Sequence, residues 1–172
     1  PVARRRAECL VRLQPAVAAV SERLLGARLD LALNRGWLAD RGLGEAVEAS
    51  WERDVERGVT HTGPHRADVA VRFEGLLARD RVSRGQQKLA AAAMLLGQLQ
   101  CDAEQGSGVA ALLVDDPAAE LDSTNLERLL EEIVALPAQL FVTALDASNE
   151  ALGLLPEGPR FHVEHGSVTR LI

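Results

Sequence analysis

The chain has 172 residues, 47% of them hydrophobic and 26% charged, which is enough to bury a core and excludes disorder as the resting state. Its formal net charge is −6, and Lys88 is the only lysine among cations that are otherwise arginines. That balance excludes a broad, uniformly basic nucleic-acid surface, although a local cluster such as Arg4, Arg5 and Arg6 can still meet a phosphate backbone or simply face solvent.

The apolar residues Leu10, Leu13, Val17, Val20 and Leu24 recur at three- and four-residue spacing and predict an amphipathic helix over residues 4–25. Pro15 is placed to split or kink it, and Gly26 to end it. Leu29, Leu31 and Leu33 alternate, as in a half-buried strand over residues 28–33, and Gly36 marks a turn. A polar helix follows over 43–57, with Ala46, Val47, Ala49, Ser50 and Trp51 available to a core, and Gly58 stops it. Residues 59–75 read as two strands broken at Gly63-Pro64. A helix is predicted from Ser83 to about Gln100, and Val109–Val114 reads as a strand buried on both faces. Thr124–Leu136 carries one apolar stripe of Leu126, Leu129, Leu130, Ile133 and Val134. Leu140–Ala144 is a second buried strand. A short helix over 147–155 and a hairpin of residues 161–164 and 167–171 around His165-Gly166 close the chain. The order implies an α/β fold with a mostly parallel sheet flanked by helices, and a pattern shift near residues 57–59 suggests a boundary there.

No apolar run reaches the roughly 18 residues of a membrane span, and Cys9 and Cys101 lack ligand spacing. A soluble cytoplasmic protein with reduced thiols is expected. The chain opens with Pro1 straight into a helical pattern, as a fragment or a processed protein would. His61 with His65, and His162 with His165, lack the further ligands of a zinc site. Trp37, Trp51, Phe73, Phe141 and Phe161 read as core residues and not as base-stacking platforms.

Three constellations bear on chemistry. In Ser83-Arg84-Gly85-Gln86-Gln87-Lys88, Ser83 and Gln86 fit a capping box. The same helix start offers unpaired N–H donors, partial positive charge and a glycine that lets an anion approach. In Leu112-Leu113-Val114-Asp115-Asp116, a strand delivers two carboxylates to the edge where parallel sheets bind ligands. One can hold Mg²⁺ and the other polarise water, or the pair can merely open the loop before Pro117. Third comes Ala118-Ala119-Glu120-Leu121-Asp122, in which Asp122 or Ser123 is a natural N-cap.

Their order, a signature-like helix start, about 30 residues, a strand ending in two acids, Glu-Leu-Asp, then a strand ending at Thr143, resembles the C-terminal lobe of an ATP-binding-cassette ATPase head. Gly63-Pro64-His65-Arg66-Ala67-Asp68 upstream of the Ser83 motif, the Asp-Asp pair, Gly36-Trp37 and Glu52-Arg53-Asp54 narrow the resemblance to the RecF family of DNA-repair ATPases.

The resemblance implies that residues 1–58 are the returning part of a helical arm and residues 59–172 the C-terminal lobe of the head. It implies ATP and Mg²⁺ as cofactors. Ser83, Arg84, Gly85 and Gln86 would contact the nucleotide held by the opposite protomer, Asp115 the metal and Asp122 the communicating loop. Asp116 takes the place of the catalytic acid. The phosphate loop G-x-x-x-x-G-K-[ST] is absent, so this chain alone should not hydrolyse ATP. The implied function is ATP-dependent binding, as a homodimer, to DNA gaps and single-strand/double-strand junctions. It helps other mediator proteins load recombinase during recombinational repair and replication restart. Two other readings rest on the residues: a non-catalytic dimerisation or docking module, and a metal-dependent phosphodiesterase built on Asp115, Asp116 and Glu120.

Overall fold

The computed structural model describes residues 2–106, 110–119, 121–146 and 148–171. The chain forms two compact units, Pro1–Ala110 and Ala111–Ile172.

In the first unit, helix α1 (Val2–Leu25) runs unbroken through Pro15 and ends at Gly26, which takes φ +70°. Strand β1 (Leu29–Asn34) pairs antiparallel with β2 (Asp68–Phe73), and β2 pairs with the two-residue β3 (Leu76–Leu77). Two polar side chains of α1 occupy backbone groups of β1. Gln14 donates to the Leu29 carbonyl (2.8 Å) and accepts from Leu31 N (2.7 Å), while buried Ser21 accepts from Leu29 N (2.8 Å). Open-edge groups that would otherwise need water or another strand are thus satisfied by the helix.

Helix α2 (Leu43–Arg57) ends at Gly58 in the left-handed conformation, and helix α3 (Arg84–Glu104) packs along α1. Their shared core contains Val17, Val20 and Leu24 from α1 and Leu89, Ala90, Ala93 and Leu96 from α3. The helices touch most closely at Gly97. A Cβ there would lie 2.8 Å from Val17 Cγ2 and 2.9 Å from the Val17 N and Cα atoms. Helix propensity alone favours Gly97→Ala by about 1 kcal/mol. The clash is with main chain, which cannot rotate away, so we expect Gly97→Ala to destabilise by about 1–3 kcal/mol. Urea denaturation reads the sign directly, and a raised midpoint would show that the helices can separate without loss.

The second unit holds a two-stranded sheet of β4 (Ala110–Val114, all but its first residue in this unit) and β5 (Ala138–Val142), helix α4 (Ser123–Val134), a short 3-10 helix (Glu150–Leu154) and the hairpin β6 (Phe161–Glu164) to β7 (Ser167–Arg170). Thr143 N donates to the Val114 carbonyl (2.9 Å) and Asp116 N to the Thr143 carbonyl (3.2 Å), which is the parallel pattern. Leu126, Leu129, Leu130 and Ile133 bury one stripe of α4. The fold is α/β as expected, with its parallel ladder between β4 and β5 and antiparallel pairing elsewhere.

Several expectations are corrected. No strand forms over residues 59–62: His61 N donates to Asp54 Oδ1 (3.2 Å) and the Thr60 carbonyl takes the His65 and Arg66 side chains, so these groups serve a loop and not a ladder. Strand β5 is not buried throughout, nor is β4 covered on both faces, since Leu113 is 76% and Phe141 53% exposed. Two strands present one inward face and one open face, so alternate residues emerge. Trp51 (64%) and Phe161 (57%) are likewise exposed. Trp51 lies off the narrow Ala46–Ser50 stripe that α2 buries, and both strands of the closing hairpin are exposed along their length. The start of the expected strand at Val109, Glu120 of the third motif, and the start of the expected helix at Ala147 lie outside the described residues.

Candidate functional site

The expected site residues fall in both units. In the first, Ser83 caps α3 from extended backbone: its Oγ accepts from Gln86 N (3.3 Å), and Gln86 Oε1 accepts from Ser83 N (2.9 Å). This is the capping box that the spacing predicts. A Cβ added to Gly85 would meet nothing within 4 Å, so packing within this chain does not require a glycine there. Ser83 and Arg84 are exposed, and Gly85 and Gln86 half-buried, at the start of a 21-residue helix. That end concentrates partial positive charge.

In the second unit, β4 ends in Asp115 and Asp116 beside Thr143, which follows β5. The Thr143 hydroxyl donates to Asp115 Oδ1 (2.5 Å), and Asp116 N donates to Thr143 Oγ1 (3.1 Å). One hydroxyl therefore fixes the carboxylate of the first acid and the main chain of the second. Asp116 has φ +41°, a left-handed conformation that a non-glycine residue rarely takes and that its backbone bonds to Thr143 hold. Asp115 is exposed, Asp116 half-buried and Pro117 buried.

Asp122 caps α4. Its Oδ1 accepts from Asn125 N (2.9 Å) and its Oδ2 from Asn125 Nδ2 (2.7 Å). The Asn125 backbone N–H first, then its side-chain amide, hold the Asp122 carboxyl below the usual carboxylate range. A depressed folded-state value means that this stabilisation is complete above the unfolded value, about pH 4, and is lost as pH falls through the lower folded one. Asp122→Ala should therefore lower the urea midpoint at pH 7, and the gap from the unsubstituted chain should narrow by pH 3. A gap that stays constant with pH would mean that the charge plays no part.

Two features lay beyond sequence reading. Thr143 is the partner of both acids, a role that no spacing discloses because 27 residues separate it from Asp116. Asp54 is held by Ser50 (2.9 Å) and by His61 Nδ1 (2.9 Å), tying α2 to the loop that follows it. Burial opposes its ionisation, but the bonds from His61 and Ser50 outweigh burial and keep its carboxyl below the usual range. Among the described residues no group of three His, Cys, Asp or Glu is arranged to hold a metal, Cys9 and Cys101 are free thiols, and no helix is long and apolar enough to cross a membrane.

No protein-family model matches the chain. Curated relatives named DNA replication and repair protein RecF do. That of Stenotrophomonas maltophilia (strain R551-3) is 41% identical over 172 residues, covering 98% of this chain and 47% of its own length. The Marinomonas sp. (strain MWYL1) relative is 42% identical over 125 residues, covering 72% of this chain and 34% of its own. The chain thus spans about half the length of relatives it matches. Two solved chains described as the recombination mediator protein RecF of the RecFOR pathway, one with ATP and one with ATPrS, share its fold at TM-scores of 0.75 and 0.74. They are 21% and 20% identical to it, and cover 98% and 97% of this chain and 46% of their own. By these likenesses and by the order of its motifs, the chain belongs to the RecF family, whose C-terminal half it matches.

Proposed function

We propose that the chain supplies the signature helix and the Walker B acids of an ATP-dependent DNA-binding protein of recombinational repair and replication restart, acting in the cytoplasm. Residues 59–172 are then the C-terminal lobe of the ATPase head and residues 1–58 the returning part of its arm. ATP joins two heads, and the joined heads bind DNA at gaps and junctions, where other mediator proteins help load recombinase.

The observation that carries this reading is the arrangement of Asp115, Thr143 and Asp116 at the C-terminal edge of a parallel strand pair, where such sheets bind ligands. Asp115 suits Mg²⁺, a hard cation held by one or two carboxylates with its waters kept, because it is exposed and oriented by a hydroxyl. Bound there, the ion would neutralise charge developing on the transferring phosphoryl group. Asp116 accepts the proton of the attacking water. Ser83, Arg84, Gly85 and Gln86 meet the γ-phosphate on the partner's nucleotide, with Gly85 leaving room for close approach. Asp122 contributes to the loop that links the two sites.

The test joins this chain to the N-terminal half of the Stenotrophomonas maltophilia relative and follows its mass by light scattering. ATP should produce dimers that disappear on hydrolysis, and an unchanged mass at saturating ATP sinks the reading. A docking module is the second reading, supported by the open apolar face at Leu113 and Phe141. It gains ground if dimers form equally without nucleotide and Asp116→Asn is harmless.

A further inference from the structure

The loop over residues 59–67 is fastened more heavily than a connection between a helix and a strand requires. Gly63 N donates to the Gly36 carbonyl (3.1 Å), Arg66 N to the Gly63 carbonyl (2.9 Å) and Ala67 N to the Pro64 carbonyl (3.3 Å). Gly36, at φ +88°, lies so close that a Cβ on it would overlap the Gly63 carbonyl oxygen and sit 2.9 Å from Arg66 C and Ala67 N. From α1, Arg6 Nη1 donates to the Pro64 carbonyl at 2.7 Å. Three segments distant in sequence therefore meet at one crossing: Arg6 is bonded to it, Arg35 precedes Gly36 in the chain, and Arg66 follows His65 within the loop.

We propose that Arg6, Arg35 and Arg66 form a contact surface for the phosphodiester backbone of DNA. The assignment rests on the DNA-binding part of the function proposed above and adds the residues that meet the DNA. Among the described residues none of the three guanidinium groups has a carboxylate partner: Arg6 binds the Pro64 carbonyl, Arg66 Nε the Thr60 carbonyl (3.1 Å), and Arg35 the Ala39 carbonyl (3.5 Å) while lying over Trp37. Two acids close in sequence to these arginines are paired with other arginines, Glu8 with Arg4 and Asp40 with Arg41. The three guanidinium charges are thus not cancelled by direct ion pairs, on a chain of net charge −6. The carbonyl bonds of Arg6 and Arg66 also restrain those side chains, so less rotamer freedom is lost on binding.

The geometry favours an extended polyanion over a nucleotide tail. Nucleotide phosphates are cradled by convergent backbone N–H groups. Here the N–H groups of His61, Gly63, Arg66 and Ala67 are all donated internally, so the loop does not turn a run of convergent N–H groups outward, while the Arg66 side chain is exposed.

The experiment measures binding of this chain, without nucleotide, to a fluorescein-labelled blunt DNA duplex by anisotropy across a salt series. Three phosphate contacts contribute about −2.7 to the slope of log affinity against log salt, or about 40-fold weakening between about 50 and 200 mM. Arg6→Gln, Arg35→Gln and Arg66→Gln combined, which keep a donor but remove the charge, should flatten the slope by about that much. The corresponding triple lysine variant should retain it, and Arg160→Gln, in the other unit, should change nothing. Matching thermal melts establish that the loop has not simply come apart. A slope unchanged in the triple glutamine variant, no binding at low salt, or displacement of the duplex by equimolar ATP would each overturn the proposal. Because no nucleotide is present, failure here leaves ATP-induced dimerisation standing, and failure of dimerisation leaves this surface standing.

Discussion

Asp116→Asn is expected to slow ATP turnover of the joined protein by at least about 100-fold, the lower end of what a positioned general base supplies. The dimers that ATP induces should outlast those of the unsubstituted protein, because the step that dissolves them is blocked while the contacts that form them persist. The substitution is nearly isosteric, and the backbone that sets the residue's direction is fixed elsewhere: Asp116 N bonds to both the hydroxyl and the carbonyl of Thr143, and Ala119 N donates to the Asp116 carbonyl (3.1 Å). Asparagine also tolerates left-handed backbone better than most residues, so the φ of +41° remains accessible. Loss of turnover with this geometry intact reports on the carboxylate itself. Single-turnover hydrolysis and light scattering on one sample check both halves, and turnover within tenfold of the unsubstituted protein would remove Asp116 from the chemistry.

Much of the chain was legible because its elements announce themselves locally. Leu126, Leu129, Leu130 and Ile133 recur at helical spacing and are all buried in α4, and the Ser83–Gln86 capping box forms as spaced. Gly26, Gly58 and Gly166 each take positive φ where a stop or turn was expected. These signals are short-range, and the physics behind them is complete within a few residues.

What was not legible depends on partners distant in sequence. Residues 59–62 have the composition of a strand, yet their polar groups are claimed by Asp54, His65 and Arg66, so the loop wins over the ladder. Phe141 and Leu113 were expected in a core because apolar runs in parallel sheets are normally covered on both faces. In a pair of strands, alternation exposes every second side chain instead. In the candidate site the acids could be named from their run, but the hydroxyl that orients them comes from the next strand. The meeting of α1, Gly36 and the loop over residues 59–67 rests on the Gly36–Gly63 crossing and the Arg6–Pro64 bond, which no spacing encodes.

Ser83→Arg is expected to abolish ATP-induced dimers of the joined protein, lowering the dimer fraction by more than tenfold at saturating ATP, while leaving ATP binding to the monomer unchanged. Two effects of the substitution must be separated. Removing the hydroxyl that accepts from Gln86 N costs about 1 kcal/mol of helix stability. That loss is local, because Leu89, Ala90, Ala93 and Leu96 hold α3 against α1 beyond its first turn. Placing a long cationic side chain at an exposed position, where the proposed dimer brings a γ-phosphate and the opposing head, denies the close approach that an open Gly85 permits. Ser83→Ala isolates the first effect, since it loses the cap and keeps the shape. If capping alone mattered, alanine and arginine would reduce dimers equally. If the residue acts across the interface, alanine reduces them modestly, arginine eliminates them, and the affinity of the monomer for a fluorescent ATP analogue is the same in all three proteins. Parallel loss of nucleotide affinity and dimerisation in the arginine variant would place Ser83 in its own protomer's nucleotide site and end the cross-interface reading.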